Sequence, residues 1–300
     1  MIELQDLQKR FAGKPALHGL SLQVGRGEIF GLLGHNGAGK STALGILLGQ
    51  VYPNAGEAFI DGVSVQRERK RALGKTGAIF EAPRFYDYMS GWKNLEVFSS
   101  FSALVSKNEI AAAVETVGLT ERIHDRVQTY SQGMRQRLGV AQALVPAPDL
   151  ILLDEPTNGL DPEGIHEMRE LIKKLNRERG ITVLFCSHLL SEVEQLCDRV
   201  AIMNHGRKIF DGRWSDLTTD QQRVRFAVDD WPRAAALLQA SEGVSVVGES
   251  EIAYTNRVVV ADLVERLVHG GVRVSAVEPV RRSLEQIYLE MSHASGESAP

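Results

Sequence analysis

Cysteine is nearly absent from this 300-residue chain, which carries only Cys186 and Cys197. Two thiols build no disulfide framework, and such usage fits a reducing compartment in which both act as small buried apolar residues. Long apolar runs are missing as well. No stretch is long enough to cross a bilayer, and Met1-Ile2-Glu3-Leu4-Gln5-Asp6 lacks a basic segment leading into an apolar core. The chain is therefore expected to be soluble or peripheral. Nor is there a surplus of positive charge: the formal net charge is −4, which supplies no electrostatic reason to expect a nucleic-acid partner. What remains is an ordinary globular composition, long enough for one large domain or two.

The strongest chemical signal is Gly34-His35-Asn36-Gly37-Ala38-Gly39-Lys40-Ser41-Thr42, which matches G-x-x-x-x-G-K-[ST] at every fixed position. Glycines at the tight positions let successive backbone N–H groups turn inward as an anion nest. A triphosphate such as ATP fits that nest, with Lys40 reaching the β- and γ-phosphates and the Ser41 hydroxyl ligating Mg²⁺. Gly34, Asn36, Gly37, Ala38, Gly39, Lys40, Ser41 and Thr42 are thus the candidate phosphate cradle. Without its flanks the stretch is a glycine-rich turn. Glu28-Ile29-Phe30-Gly31-Leu32-Leu33 before it reads as a buried parallel strand, and residues 43–48 after it as an apolar helix. Strand, loop and helix come in the order the chemistry requires.

Taken from the start, residues 2–11 and 20–24 alternate as strands around a turn at Ala12-Gly13-Lys14-Pro15, and Phe11, read alone, is an ordinary core or edge aromatic. Asp61-Gly62 marks a hairpin turn. Residues 77–81 read as a buried strand ending at Glu81, and residues 91–117 as helical. Ser131 is a good N-cap for a helix running to about residue 144, whose start could bind an anion. Asp149-Leu150-Ile151-Leu152-Leu153-Asp154 is an apolar strand that delivers Asp154 and Glu155 at its carboxyl end, where parallel sheets bind ligands. In a chain with a phosphate loop, Asp154 would hold the Mg²⁺ shell and Glu155 would polarise the water that attacks the γ-phosphate; the alternative is that both cap the next turn. After a helix over residues 163–179, a further apolar strand, residues 181–186, ends at Ser187-His188, on the same edge as Asp154.

Together these residues resemble the nucleotide-binding domain of an ATP-binding cassette (ABC) transporter, over about residues 1–218. Residues 34–42 match the phosphate loop, Ser131-Gln132-Gly133 the family signature, and residues 149–155 the second Walker motif. Gly159-Leu160-Asp161 matches the D-loop, Phe11 resembles the aromatic that stacks on adenine, and His188 the switch histidine at the γ-phosphate. The resemblance implies a P-loop α/β core with a parallel sheet, an antiparallel β subdomain and a helical insertion at about residues 84–145. It also implies catalytic roles for Glu155, His188 and Lys40, metal ligation by Ser41 and Asp154, a nucleotide contact from Asp161, and nucleotide contacts from Ser131, Gln132 and Gly133 of a second copy. Two departures stand out: Glu81, at the nucleotide-site position where the family usually has Gln, keeps an oxygen that could approach Mg²⁺ or the attacking water but adds charge and loses an amide donor, and Met134 replaces the signature's final Gln. Both variations are similar to drug- and peptide-antibiotic exporter ATPases of the bacitracin-resistance and sodium-extrusion type. The implied partners are a membrane permease, docking near Phe85, Tyr86, Tyr88 and Trp92, and a second copy in an ATP sandwich at the cytoplasmic membrane face.

From Gln222 the pattern starts afresh. Strands at residues 224–228, 244–247, 257–260 and 272–277, with helices at residues 232–240, 261–269 and 283–291, predict a small α+β accessory domain over residues 222–291 of βαββαβ order. Residues 292–300 read as a disordered tail. Two other functions compete with the exporter: an ATP-switched clamp in DNA repair or translation, and a nucleotide sensor. The interval between Lys40 and Ser131 is too short for a long coiled-coil arm, which weighs against the clamp, and Glu155 weighs against the sensor.

Overall fold

The computed structural model describes residues 1–80, 83–101, 105–213, 216, 222–255 and 257–280. The chain packs as two units that divide between Gly212 and Arg213.

In the first unit, β1 (Ile2–Phe11) and β2 (Lys14–Val24) form an antiparallel hairpin. Its turn is narrower than the four residues marked in the sequence. Ala12 (φ 46°) and Gly13 (φ 82°) carry it alone, a left-handed pair whose twist matches that of the flanking strands, so Lys14 and Pro15 already belong to β2. Strands β4 (Ala55–Ile60) and β5 (Val63–Ser64), joined by Asp61-Gly62, complete a sheet of order β2-β1-β4-β5.

The second sheet frames the site. It comprises β3 (Ile29–Leu33), β6 (Thr76–Ile79), β7 (Leu150–Asp154), β8 (Thr182–Ser187), β9 (Arg199–Asn204) and β10 (Arg207–Arg213), in the order β10-β9-β3-β8-β7-β6. The strands from β9 to β6 run parallel. Every residue of β3, β7 and β8 is buried, which is why these strands read as continuous apolar runs rather than as alternation. Phe30, Leu32, Leu152 and Leu184 share one core with Leu4, Leu7 and Leu22 of the antiparallel sheet. Each such buried side chain stabilises the fold by about 1.5–3 kcal/mol.

Helices α1 (Lys40–Leu47), α2 (Arg69–Ala72), α3 (Gly91–Ser99), α4 (Lys107–Thr116), α5 (Gln132–Leu144), α6 (Pro162–Arg179) and α7 (Leu190–Leu196) complete this unit. The region read as helical over residues 91–117 is two helices, α3 and α4. Ser106 starts the second: its hydroxyl accepts the Glu109 N–H, and its own N–H donates to the Glu109 carboxylate at 2.7 Å. Such a reciprocal cap marks a new helix start, not a continuation.

The second unit runs β11 (Gln222–Val228), helix Trp231–Gln239, β12 (Val244–Gly248), β13 (Glu251–Tyr254), helix Val260–His269 and β14 (Val274–Val280). Its antiparallel sheet has the order β12-β13-β11-β14. Val224, Phe226, Leu238, Ile252, Leu263 and Leu267 form its own core. The strand expected at residues 257–260 lies instead at Glu251–Tyr254, because a tight turn with Ser250 at φ 63° pairs that segment directly with β12. Glu81, the boundary at residue 218, the expected helix at residues 283–291 and the tail at residues 292–300 lie outside the described residues. Among the described residues no helix is long and apolar enough to cross a membrane.

Candidate active site

Strand register brings the chemistry together. Leu33 lies opposite Ser187 across β3 and β8, and Asp154 lies opposite Cys186 across β7 and β8. Gly34, Glu155 and His188, each one residue past its strand, therefore emerge side by side at the carboxyl edge of the sheet, where parallel sheets bind ligands.

The phosphate loop is shaped by what its glycines exclude. Gly37 (φ 86°) and Gly39 (φ 106°) are left-handed, and a Cβ on Gly39 would sit 2.8 Å from the Ala16 carbonyl oxygen. Gly39 is also the N-cap of α1 and offers no side-chain acceptor. The first N–H groups of the helix are therefore presented, with its positive dipole end, to an anion. Lys40 is only 5% exposed. Its Nζ donates to the Gly34 carbonyl at 2.6 Å and stands 3.5 Å from Glu155 Oε1.

The two acids serve different neighbours. Asp154, 4% exposed, accepts a hydrogen bond on Oδ2 from the Ser41 hydroxyl at 3.2 Å. Glu155 leaves β7 in the left-handed region, at φ 49°, a conformation that costs a non-glycine residue about 1–3 kcal/mol and persists only where its surroundings impose it. Its N–H donates to the Cys186 carbonyl at 3.0 Å, which tethers the turn to β8. Glu155 Oε2 lies 2.8 Å from His188 Nδ1. A carboxylate can only accept, so Nδ1 carries the proton and Nε2 is left for another group.

A cleft of about 720 Å³ is lined by residues 35–37 and 39–42 of the phosphate loop, Asp154, Glu155, Asn158, Gly159, and Gln132 and Gln136 of α5, while Gly34, Ala38 and His188 do not line it. A triphosphate fits this arrangement: a buried ammonium, an uncapped helix start and two left-handed glycines, Gly37 and Gly39, all face one space. The Ser41–Asp154 pair places two hard oxygen donors beside it, the donor chemistry that suits Mg²⁺.

Other expected residues lie elsewhere. Phe11 is 48% exposed, with Lys9 Nζ 4.9 Å from its ring centre, and does not line the cleft. Nor do Ser131, Gly133 and Asp161 line it. Ser131 caps α5 by accepting the Met134 N–H at 3.2 Å, and Asp161 caps α6 by accepting the Gly164 N–H at 2.9 Å. Gln136 was not expected at the site. Its spacing of one turn from Gln132, on the same helix face, is the signal that would have found it.

A parallel sheet with a phosphate loop at its carboxyl edge and an acid pair on the second strand over defines a P-loop nucleotide-binding protein. The family profile described as ABC transporter matches residues 17–158. The ABC transporter ATP-binding protein YhcH of Bacillus subtilis (strain 168) is 42% identical over 293 residues, 97% of this chain and 96% of that protein. The bacitracin transport ATP-binding protein BcrA of Bacillus licheniformis is 39% identical over 240 residues, 80% of this chain and 78% of its own length. Among solved structures, the dimeric bacterial ABC transporter cassette MJ0796 superposes with a TM-score of 0.64 at 27% identity, covering 71% of this chain and 98% of that one. The chain belongs to the ATP-binding subunits of ABC transporters and is an ATPase of that family.

Proposed function

We propose that this chain is the ATP-hydrolysing subunit of an exporter, working as a head-to-tail dimer beneath a separate membrane permease. The observation that carries the reading is the placement of Glu155 between two partners: the Lys40 ammonium at 3.5 Å and the His188 ring at 2.8 Å. In the proposed cycle the phosphate-loop N–H groups and Lys40 hold the β- and γ-phosphates. Ser41 and Asp154 hold Mg²⁺, which when bound neutralises charge on the phosphoryl oxygens. Glu155 accepts a hydrogen bond from the attacking water and orients it at the γ-phosphorus. His188, its Nδ1–H held by Glu155, faces the γ-phosphate through Nε2, which must carry a second proton to donate to a phosphate oxygen. Phe11 stacks on the adenine. Ser131, Gln132 and Gly133 of a second copy close over the phosphates, with Asp161 in the turn between the two sites.

The dimeric MJ0796 cassette supports the sandwich, and the transport ATPases among the relatives weigh against the soluble-clamp alternative. Location at the cytoplasmic membrane face, with no nucleic-acid partner, belongs to the same reading. Phosphate release by the full chain, with co-purification of a multi-spanning protein from solubilised native membranes, tests it. Absence of hydrolysis, or recovery free of any membrane protein, would sink the exporter reading.

A further inference from the structure

One buried acid beside the site has no part in the cycle above. Glu192, in the first turn of α7, is 4% exposed. Its Oε2 accepts two hydrogen bonds, from Thr157 Oγ1 at 2.5 Å and from Ser187 Oγ at 3.4 Å. Its Oε1 is buried without a hydrogen-bond partner. An acid in a first helical turn ordinarily faces solvent, where it complements the helix dipole. This one turns inward, although burying a carboxyl with an unpaired oxygen is costly.

The two donors explain what the burial achieves. Thr157 lies two residues after Glu155, in the turn whose Asn158 N–H donates back to the Glu155 carbonyl at 3.1 Å. Ser187 directly precedes His188, and its Oγ also accepts the Leu189 N–H at 3.0 Å. Glu192 therefore bonds to the backbone segment that carries Glu155 and to the segment that carries His188. Burial pushes its carboxyl above the ordinary carboxylate range, and the hydrogen bonds from Thr157 and Ser187 pull the other way.

We propose that Glu192 is a positioning residue for hydrolysis: it clamps the Thr157 turn to the Ser187 turn and so holds Glu155 and His188 in their 2.8 Å contact. The inference rests on the reading of those two as the hydrolytic pair. Both hydrogen bonds end on one oxygen, so a glutamine amide oxygen can accept both, whereas alanine accepts neither.

The test is steady-state ATP hydrolysis by the full chain, wild type beside Glu192→Ala, Glu192→Gln and Thr157→Val, each assayed well below its melting midpoint. Displacing a catalytic pair from a distance costs up to about a hundredfold, so kcat of Glu192→Ala is expected to fall about ten- to a hundredfold with KM for ATP within about twofold. Glu192→Gln should recover most of that loss. Thr157→Val should share the defect, and the Thr157→Val/Glu192→Ala double variant should be no worse than Glu192→Ala alone. An unchanged kcat in Glu192→Ala, or a glutamine variant as slow as the alanine one, overturns the proposal. Should Glu192→Ala fail to fold, an unchanged kcat in Thr157→Val overturns it. A wild type that releases no phosphate overturns the hydrolytic reading and this inference with it, whereas a hydrolysing wild type with an unaffected alanine variant overturns the inference alone.

Discussion

His188 Nδ1 and Glu155 Oε2 lie 2.8 Å apart although 33 residues separate them in the chain. They meet because β7 and β8 are neighbours in register and each residue follows the end of its strand. An imidazole held by one nitrogen in this way has a defined tautomer and a directed second nitrogen, the arrangement that second partners impose on reactive histidines.

Replacing Glu155 by Gln keeps the size of the side chain and removes its negative charge. Loss of a group that accepts a proton or hydrogen bond from the attacking water costs about 10²–10⁴-fold in rate. Phosphate release should fall by that factor while ATP binding, followed by calorimetry, persists. The variant should also elute as a dimer with saturating Mg-ATP; an ATP-loaded variant that stays monomeric across a wide concentration range would remove the sandwich from the proposed cycle.

Gly31, in the middle of β3, has no room for a methyl group. A Cβ there would stand 2.4 Å from Val193 Cγ1, 3.1 Å from Val200 Cγ1 and 3.2 Å from Cys197 Sγ. Gly31→Ala should destabilise the first unit by about 1–3 kcal/mol, the usual cost of overpacking, seen as a lowered denaturant midpoint. Because Val193 is the residue after Glu192 on α7, the same variant should also slow hydrolysis more than it weakens ATP binding.

Burial pushes both thiols up: Cys186 and Cys197 are nearly or fully enclosed, with the Asp154 charge adding to the effect on Cys186 and that of Asp198 on Cys197. A thiol held protonated and out of reach is inert to alkylation. Thiol titration of the native chain at mildly alkaline pH should find neither cysteine, and the denatured chain should give two. Rapid labelling of the native protein would contradict the burial of β8 and of the end of α7.

Glu192 ties stability to pH. Its carboxyl titrates above the ordinary value of 4.5 in the folded chain, chiefly through burial, with Glu155 raising it further and His188 acting in the opposite sense. A raised acid holds its proton more tightly when folded, so its contribution is full below the ordinary value and lost as pH climbs through the folded one. Glu192→Gln cannot ionise. Its melting midpoint should gain on the wild type as pH rises from 4.5 toward neutrality, and parallel curves for the two proteins would contradict the assignment.

How much could be read beforehand differed from element to element. The phosphate loop, the Asp154–Glu155 pair and the cap Ser131 are legible because each depends on residue identity at short spacing, whereas the capping role of Asp161 appears only in the structure. The turn at Ala12-Gly13 looks wider in sequence than in structure because Pro15 is a turn-favouring type that here fits an edge strand. The sequence pattern alone puts the third strand of the second unit at residues 257–260, six beyond β13. Val258-Val259-Val260 carries stronger β-branched propensity than Glu251–Tyr254, but pairing with β12 selects the latter, and strand propensity yields to such context.

The sequence by itself determined that a glycine-rich phosphate loop, an acid pair and a histidine at a strand end exist, and in what order, because glycine conformation, ammonium reach and carboxylate chemistry belong to local residues. Tertiary structure decided which of them touch. Parallel strand order, which no local pattern encodes, set Glu155 between Lys40 and His188, brought Gln136 into the cleft, and turned Glu192 away from solvent toward Thr157 and Ser187. Contacts across 33 to 115 residues, from His188 to Glu155 and from Glu155 to Lys40, arise only when strands distant in the chain are hydrogen-bonded side by side.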